Sequence, residues 1–578
     1  MIFDKTIETK RSYVMTKNLT DNFGTARWAE AEDLEAESIH VHSLLLFPNS
    51  SSSIAVECFR KDKRTKGFVF SKLADPKVGL GNIRKYHVSG MDMMLDSFSN
   101  LFRKSKGDEY LTWDGDGHVL TVAPTRSGKG VGLVIPNLLR YPGSAIVVDP
   151  KGENFAITSE HRRKYLTKKI IRLDPFGCMG GADTTDYINP LEGLADYSAP
   201  ERVLDSCPEI LDELSTLADA MIMRPADEKD PHWNDKARTL IKTLMMAVVC
   251  GLGGNVAPQI NLPSVRKLLT SGNVQEYLEW LRSPSASGYE KRKAYLGGML
   301  VAGANECCSM ATQEFSSVLS SALRHTEFLD SPLMQRAFGE GNRRGKSYNI
   351  RDLKEKGDVT IYMIIPPQHL ERYSRAIRVW TTAAINAMTA TTCKPKGGNV
   401  LFMMDEMAQL GTLEKMRQVV SLLAGYGMSL WMIWQDLSQL KRLYKEDWES
   451  FLANAKVQQF FGINDQDTAK HVSEMLGKAT VEVDTFALTH SSSSKVTDIL
   501  ATKTDGDTQT FAEKERDLLS ADEVRRLNRE WMLMFVQGCP PIIAKRITYF
   551  SDVNFKGYAR ENPYITGINP FKGNLAIQ

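Results

Sequence analysis

Apolar runs of strand length recur through the middle of the chain, each followed by a turn and then by a stretch of helical spacing. His118 to Val122, Ala145 to Val148, Lys169 to Leu173, Val359 to Ile365, Asn399 to Met404, Met428 to Trp434 and Val457 to Ile463 are rich in Val, Ile, Leu and Met and do not alternate strictly with polar residues. Strands of this kind are covered on both faces, so the pattern predicts an α/β fold with a mainly parallel sheet. The longest helix expected between them runs from His369 to Thr391.

From Pro200 to about Thr326 the rhythm changes. Helical candidates Glu201 to Met223, Asn234 to Cys250, Val274 to Leu281, Glu290 to Leu300 and Ser309 to Leu323 follow one another without strands. An all-α domain of about 130 residues inserted into the α/β fold is the expectation. Five segments result: 1–116, an N-terminal accessory region of mixed α/β character; 117–199, the first part of the α/β domain; 200–326, the insertion; 327–555, the second part of the α/β domain; and 556–578, a polar tail, draped or loose.

The flanks carry weaker signals. Ser43 to Phe47, Ser53 to Cys58 and a stretch near Gly67 to Ser71 have strand composition, and Gly90 to Phe102 has helical spacing. Tyr110 to Trp113 leads through Asp-Gly-Asp-Gly into the strand at His118. Near the other end, the polar stretch Ser491 to Asp507 reads as a loop between two exposed strands. Ser520-Ala-Asp-Glu523 has the spacing of a capping box, and Met532 to Val536 and Ile542 to Ile547 provide the last strands.

Composition narrows the class without choosing a function. The 578 residues are 42% hydrophobic and 25% charged, with 72 basic residues against 70 acidic ones and a net charge of +2. Any contact with nucleic acid must therefore come from local patches. Of the basic clusters, Arg162 to Lys164, Lys291 to Lys293 and Arg343 to Lys346 are candidates to line a DNA path, and Arg60 to Lys66 to touch an acidic partner, although solvated loops or a hairpin tip would look the same. The eight cysteines, at 58, 178, 207, 250, 307, 308, 393 and 539, form no C-x-x-C pair, so neither a zinc site nor a disulfide framework is indicated. Thr243 to Val265 is uncharged, but its apolar core, Leu244 to Leu252, falls well short of the ~20 residues a spanning helix needs. The expectation is a cytoplasmic chain without a transmembrane segment, with reduced thiols, for which any membrane attachment must go through partners.

The chemistry begins where the His118 strand ends. Pro124-Thr-Arg-Ser-Gly-Lys-Gly130 joins that strand to a buried helix, the layout of a phosphate-binding loop. Pro124, Thr125, Arg126, Ser127, Gly128, Lys129, Gly130 and Val131 are the candidate nucleotide-binding residues. Backbone N–H groups from Arg126 to Val131 would face the phosphates, and Lys129 would add a full charge. The match to G-x-x-x-x-G-K-[ST] is incomplete. Ala123 replaces the first glycine, and Gly130 stands where a hydroxyl would ligate Mg²⁺, leaving Thr125, Ser127 or water to substitute.

A second feature supports the first. Val400 to Met404 carries Asp405-Glu406 to the end of a buried strand, where a charge is costly without a partner or a task. In a P-loop NTPase Asp405 would hold Mg²⁺, Glu406 would orient the attacking water, and Gln435, closing the next strand, would report the γ-phosphate. Asp149 and Lys151 follow another strand end; they are read equally as ligands or as the cap of the next helix.

APTRSGKGVG (123 to 132), IVVDPKGE (146 to 153), RLDPFG (172 to 177), FMMDEMAQLG (402 to 411), LLAGYG (422 to 427) and WMIWQD (431 to 436) together resemble the type IV secretion coupling proteins of the TraG/VirD4 family. The likeness runs in order over most of residues 24 to 550. It implies a RecA-like P-loop ATPase with an all-α inserted domain, using ATP and Mg²⁺ and working as a homo-hexamer. It also implies DNA with its relaxase, or protein effectors, as cargo, and type IV secretion channel subunits as partners. In ring ATPases a neighbour's arginine often completes the site; Arg417 is the candidate. Relatives usually begin with two transmembrane helices, which this sequence does not show. The competing expectations are a DNA-pumping translocase not tied to a channel, and a docking platform that binds nucleotide without turning it over.

Overall fold

The computed structural model describes residues 39–43, 68–72, 109–113, 115–194, 204, 207–224, 228, 230–341, 344–490 and 505–567. Residues 44–67 and 73–108 fall outside this range, so the expected strand Ser53 to Cys58, the helix Gly90 to Phe102, the basic run Arg60 to Lys66 and all but Ser43 of the first expected strand lie outside the described residues.

The apolar runs become neighbours in one sheet. In chain order these are β1 (Ile39–Ser43), β2 (Phe68–Lys72), β3 (Glu109–Trp113), β4 (His118–Val122), β5 (Ala145–Val148), β6 (Lys169–Leu173), β7 (Val359–Met363), β8 (Val400–Met404), β9 (Met428–Trp434), β10 (Ala455–Phe460), β11 (Lys478–His490), β12 (Asp505–Asp517), β13 (Trp531–Val536) and β14 (Ile542–Lys545). The main sheet has twelve strands in the order β1-β3-β2-β14-β13-β10-β4-β9-β8-β5-β7-β6. From β10 to β6 every pairing is parallel, and from β1 to β13 every pairing is antiparallel. The fold is therefore α/β with a seven-stranded parallel core, as the buried runs predict, and agrees with the RecA-like architecture that the resemblance implies. β11 and β12 form a separate antiparallel hairpin. Residues 505–507, expected in the loop between them, belong to β12, because pairing continues to His490↔Asp505.

Beneath the phosphate loop a buried polar ladder sets the register of three strands. Trp431 Nε1 donates to Thr121 Oγ1 at 2.9 Å, and that hydroxyl donates to Gln459 Oε1 at 2.7 Å. With all three side chains buried, a one-residue slip would strand their polar groups. His118 joins the same block: Leu430 N donates to its Nδ1 at 3.2 Å, so its Nε2 donates to Val420 O at 2.7 Å.

Helices cover both faces. α1 (Ile135–Arg140) continues a π-helical turn at Gly130–Val134, and α2 (Glu153–His161) follows β5. Between β6 and β7 come α3 (Ile210–Met221), α4 (His232–Val249), α5 (Leu262–Thr270), α6 (Val274–Arg282), α7 (Tyr289–Ala294), α8 (Met299–Cys308) and α9 (Thr312–Thr326), with no strand among their described residues. The single helix expected over Glu290 to Leu300 is broken. Leu296, Gly297 and Gly298 take φ of 51°, 61° and 89°, and the two glycines make that reversal cheap. α5 falls outside the helices expected from the sequence, and Pro263 does not break it. The proline sits in the first turn, behind an Asn261 cap whose side chain accepts from Ser264 N at 2.9 Å. The long helix α10 (Pro367–Thr389) buries Trp380, which stacks on Phe338 at 4.8 Å and donates to Ile188 O at 3.2 Å. α11 (Glu414–Val419) follows β8, α12 (Leu437–Tyr444) follows β9, and α13 (Gln466–Leu476) follows β10. The capping box at Ser520 and Glu523 opens α14 (Ala521–Arg526).

Two of the basic clusters contain structural arginines. Arg162 is fully buried and donates to Leu138 O, Tyr141 O, Gly143 O and Thr360 Oγ1 at 2.7–2.9 Å. Arg292, also buried, binds carbonyls of the 281–287 turn and lies 4.3 Å from the Trp280 ring. Neither is free to meet DNA. The described part of the tail is folded back on α2. Tyr564 Oη donates to Lys151 O at 2.5 Å, Asn562 reaches Glu153, and Arg560 pairs with Glu160.

Candidate nucleotide-binding site

Parallel packing puts the C-terminal ends of β5, β8, β9 and β4 side by side. The register aligns Val148 with Met404, Met404 with Met432, and Val122 with Trp434, so the segments after these strands emerge together at one rim. Asp149, Asp405-Glu406, Gln435 and the loop starting at Ala123 all stand there. This is where open α/β sheets place ligands.

The loop turns tightly. Ser127 N donates to Pro124 O at 3.2 Å and Gly132 N to Gly128 O at 2.9 Å, so the Ser127 amide, expected among the phosphate-facing donors, is engaged within the turn. Arg126 has φ of 61° and Gly128 φ of 89°, both in the left-handed region. A Cβ on Gly128 would also meet Arg546 Nη1 at 2.9 Å, so any other residue there must strain the backbone and displace that arginine.

Lys129 is 9% exposed, and its ammonium makes no hydrogen bond within the protein. Its nearest anion is Glu406 Oε1 at 3.7 Å. A buried ammonium held this loosely is poised for a stronger anion. Ser127 Oγ is buried and unpartnered as well.

Glu406 is held from the other side. Gln435 Nε2 donates to Glu406 Oε2 at 2.8 Å, and Thr125 Oγ1 donates to Gln435 Oε1 at 3.1 Å. A continuous chain thus runs from the loop through Gln435 to Glu406 and back to Lys129. Glu406 sits at φ 59°, ψ 46°, a conformation that costs a non-glycine residue about 1 kcal/mol or more. Asp405 Oδ1 accepts the Glu406 amide at 3.1 Å. Burial pushes the Asp405 pKa up to about 6, Lys129 opposes that shift, and the Glu406 charge adds to it.

Asp149 is buried and caps α2, accepting from Phe155 N at 2.8 Å and Asn154 N at 3.3 Å. The capping role is therefore realised. Burial still raises its pKa to about 7, against those two hydrogen bonds. Lys151 is exposed and lies close enough to Asp405 to act on its charge. Arg417 is not brought to this cluster; it pairs with Asp447 at 2.7 Å on an exposed face of α11.

Two contacts carry no signature in the sequence. Arg546, just after β14, donates to Ser127 O and stacks over Phe461 at 4.8 Å, holding the loop from behind. Gly462 lies under the loop, where a Cβ would come 3.3 Å from Ser127 Cβ.

The fold and this rim define a RecA-like P-loop protein. The profile of the family described as "Type IV secretory system Conjugative DNA transfer" matches residues 79–568, and the chain belongs to that family, whose members are coupling proteins of conjugative transfer and type IV secretion. Conjugal transfer protein TraG of Escherichia coli is 27% identical over 563 residues, covering 93% of this chain and 78% of the relative. Protein VirD4 of Rhizobium radiobacter is 26% identical over 451 residues, covering 77% of this chain and 59% of the relative. Among solved structures, plasmid coupling protein TrwB in complex with ADP and Mg²⁺ aligns over 75% of this chain and 85% of that one, at 14% identity and a TM-score of 0.48. No helix among the described residues is long and apolar enough to cross a membrane.

Proposed function

We propose that this chain is an ATP-hydrolysing coupling protein that delivers a DNA–relaxase or protein substrate to a type IV secretion channel. The observation that carries the reading is Lys129, an ammonium without hydrogen bonds 3.7 Å from Glu406, which is itself fixed by Gln435 at 2.8 Å. Lys129 would hold the β- and γ-phosphates, and the loop amides would share their charge. Glu406 would orient and accept a proton from the attacking water, and Gln435 would pass the presence of the γ-phosphate to Thr125 and β9.

The residues fit Mg²⁺ at Asp405. Its carboxylate stands beside the lysine, and the unpartnered Ser127 hydroxyl replaces the one that Gly130 lacks. Thr125 is the poorer substitute because its hydroxyl is engaged by Gln435. Bound Mg²⁺ supplies positive charge to the phosphate oxygens. Asp149 and Lys151 border the site as its outer wall. A homo-hexamer is the expected working form, with Arg417 from a neighbouring subunit entering the site once it leaves Asp447. The helical segment between β6 and β7 is read as an inserted domain that meets cargo.

Steady phosphate release from ATP tests this reading. Wild type should turn over, faster with DNA, and Lys129→Ala and Glu406→Gln should each abolish it. No release from wild type, with or without DNA, would leave a docking platform.

A further inference from the structure

Two of the basic clusters seen in the sequence, far apart along the chain, meet in space. Arg163, at the end of α2, and Lys346, before β7, line one cleft of about 570 Å³ at the outer edge of β6. Lys168, Lys169, Arg172 and Arg560 line it too, against only two acids, Glu160 and Asp186. Those acids offset the positive charge only in part. Glu160 is taken by Arg560, while Asp186 accepts the backbone amides of Arg172 at 2.8 Å and Lys346 at 2.8 Å. Lys168 pairs with Asp358 at 3.3 Å, outside the cleft. The Arg172 guanidinium donates to neutral acceptors only, Met179 O, Thr184 O and Thr184 Oγ1. With Arg172 tied to the 179–184 turn, three cations, on Arg163, Lys169 and Lys346, face one concave surface that also holds the Asp186 carboxylate.

We propose that this cleft binds the phosphodiester backbone of a single DNA strand, at a site separate from the nucleotide pocket. The proposal rests on the DNA-handling reading above and adds the place of contact. The walls come from α2, β6, the 346–348 segment and the tail; a single strand can turn its phosphates into such a cleft, whereas a duplex carries them on the outside of a wider rod. The aromatic rings at the cleft, Phe155 and Tyr348, are only 6% and 3% exposed, so neither offers a face for a base. Recognition is by charge and is indifferent to base sequence.

The test is anisotropy of a fluorescent single-stranded oligonucleotide, titrated with the full chain without nucleotide at several salt concentrations. For three phosphate contacts the slope of log K against log salt is roughly −2, and Lys169→Glu with Lys346→Glu should reduce its size by about 1.4 and weaken binding about tenfold or more. Lys169→Arg with Lys346→Arg should restore both values. Lys164→Glu with Lys291→Glu changes the net charge equally outside the cleft and should leave affinity within about threefold of wild type. Equal losses in the two charge-reversed pairs, unchanged binding in the cleft pair, failure of the arginine pair to rescue a folded protein, or a strong preference for one base would overturn the proposal. Phosphate release without DNA, measured on the same variants, is expected to be unchanged, which keeps a failure of the cleft distinct from a failure of the motor.

Discussion

Replacing Glu406 by glutamine keeps the side chain's shape and removes its charge, so it separates the two tasks that carboxylate performs. In the nucleotide-free protein it is the counter-ion of Lys129, 3.7 Å away. At that distance the attraction is about 4.5 kcal/mol for an effective dielectric constant of about 20 and about 1.1 kcal/mol in bulk water. Glu406 is 25% exposed, so solvent screening brings the pair's net worth down to roughly 1–2 kcal/mol. A triphosphate must pull Lys129 from this partner and then tolerate a carboxylate close to its own negative charge. Glu406→Gln removes both penalties, and ATP affinity should rise roughly 5- to 30-fold. Turnover should fall by about 100-fold or more, because no base remains to orient the water. Titration with a fluorescent ATP analogue and steady-state phosphate release read the two effects separately. Weaker binding, or turnover within about tenfold of wild type, would refute the assignment of Glu406.

Further outcomes follow from the same geometry. Gly128→Ala places a methyl 2.9 Å from Arg546 Nη1 at a φ of 89°, and should weaken nucleotide binding by about tenfold or more in the same titration. Arg162→Met leaves four buried acceptors without their donor and should cost about 3–5 kcal/mol in urea unfolding; a loss below about 1 kcal/mol would contradict its structural role. His325 is buried, with its Nε2 2.8 Å from Asn234 Oδ1, and burial lowers its pKa from 6.5 to about 3. The unfolded chain therefore binds the extra proton between those values, and stability falls as pH drops from 6.5 toward 3. The contribution lost is about 2 kcal/mol at pH 5, and urea titrations at pH 7.5 and 5 should show His325→Gln lessening the drop by about that amount.

Much of the core was legible because burial leaves a direct mark on composition. β4, β5, β6 and β9 occupy the spans their apolar runs predicted, and the acid pair stood out because charge at the end of a buried strand is costly without a partner or a task and the chain also offers the loop lysine. The loop lysine and these acids, 276 residues apart at the closest, met because parallel strands bring their C-terminal ends to one rim. What stayed hidden depends on long-range contact or on local context. Arg546 sits in no motif and reaches the loop only because β14 folds against β13. Arg162 looked like a surface cation, since sequence does not distinguish a guanidinium among carbonyls from one in water. The helix Leu262–Thr270, with Pro263 in its first turn, had no counterpart among the expected helices. The tail's composition is polar, yet Tyr564 and Asn562 find acceptors on the Lys151–Glu153 turn.

The most direct test is a structure of the chain with Mg²⁺ and a non-hydrolysable ATP analogue. The γ-phosphate should lie between Lys129 and Glu406, with the metal on Asp405, the Ser127 hydroxyl turned toward it, and Gln435 still bonded to Glu406. Lys129 remaining on Glu406 with the triphosphate bound elsewhere would contradict the account.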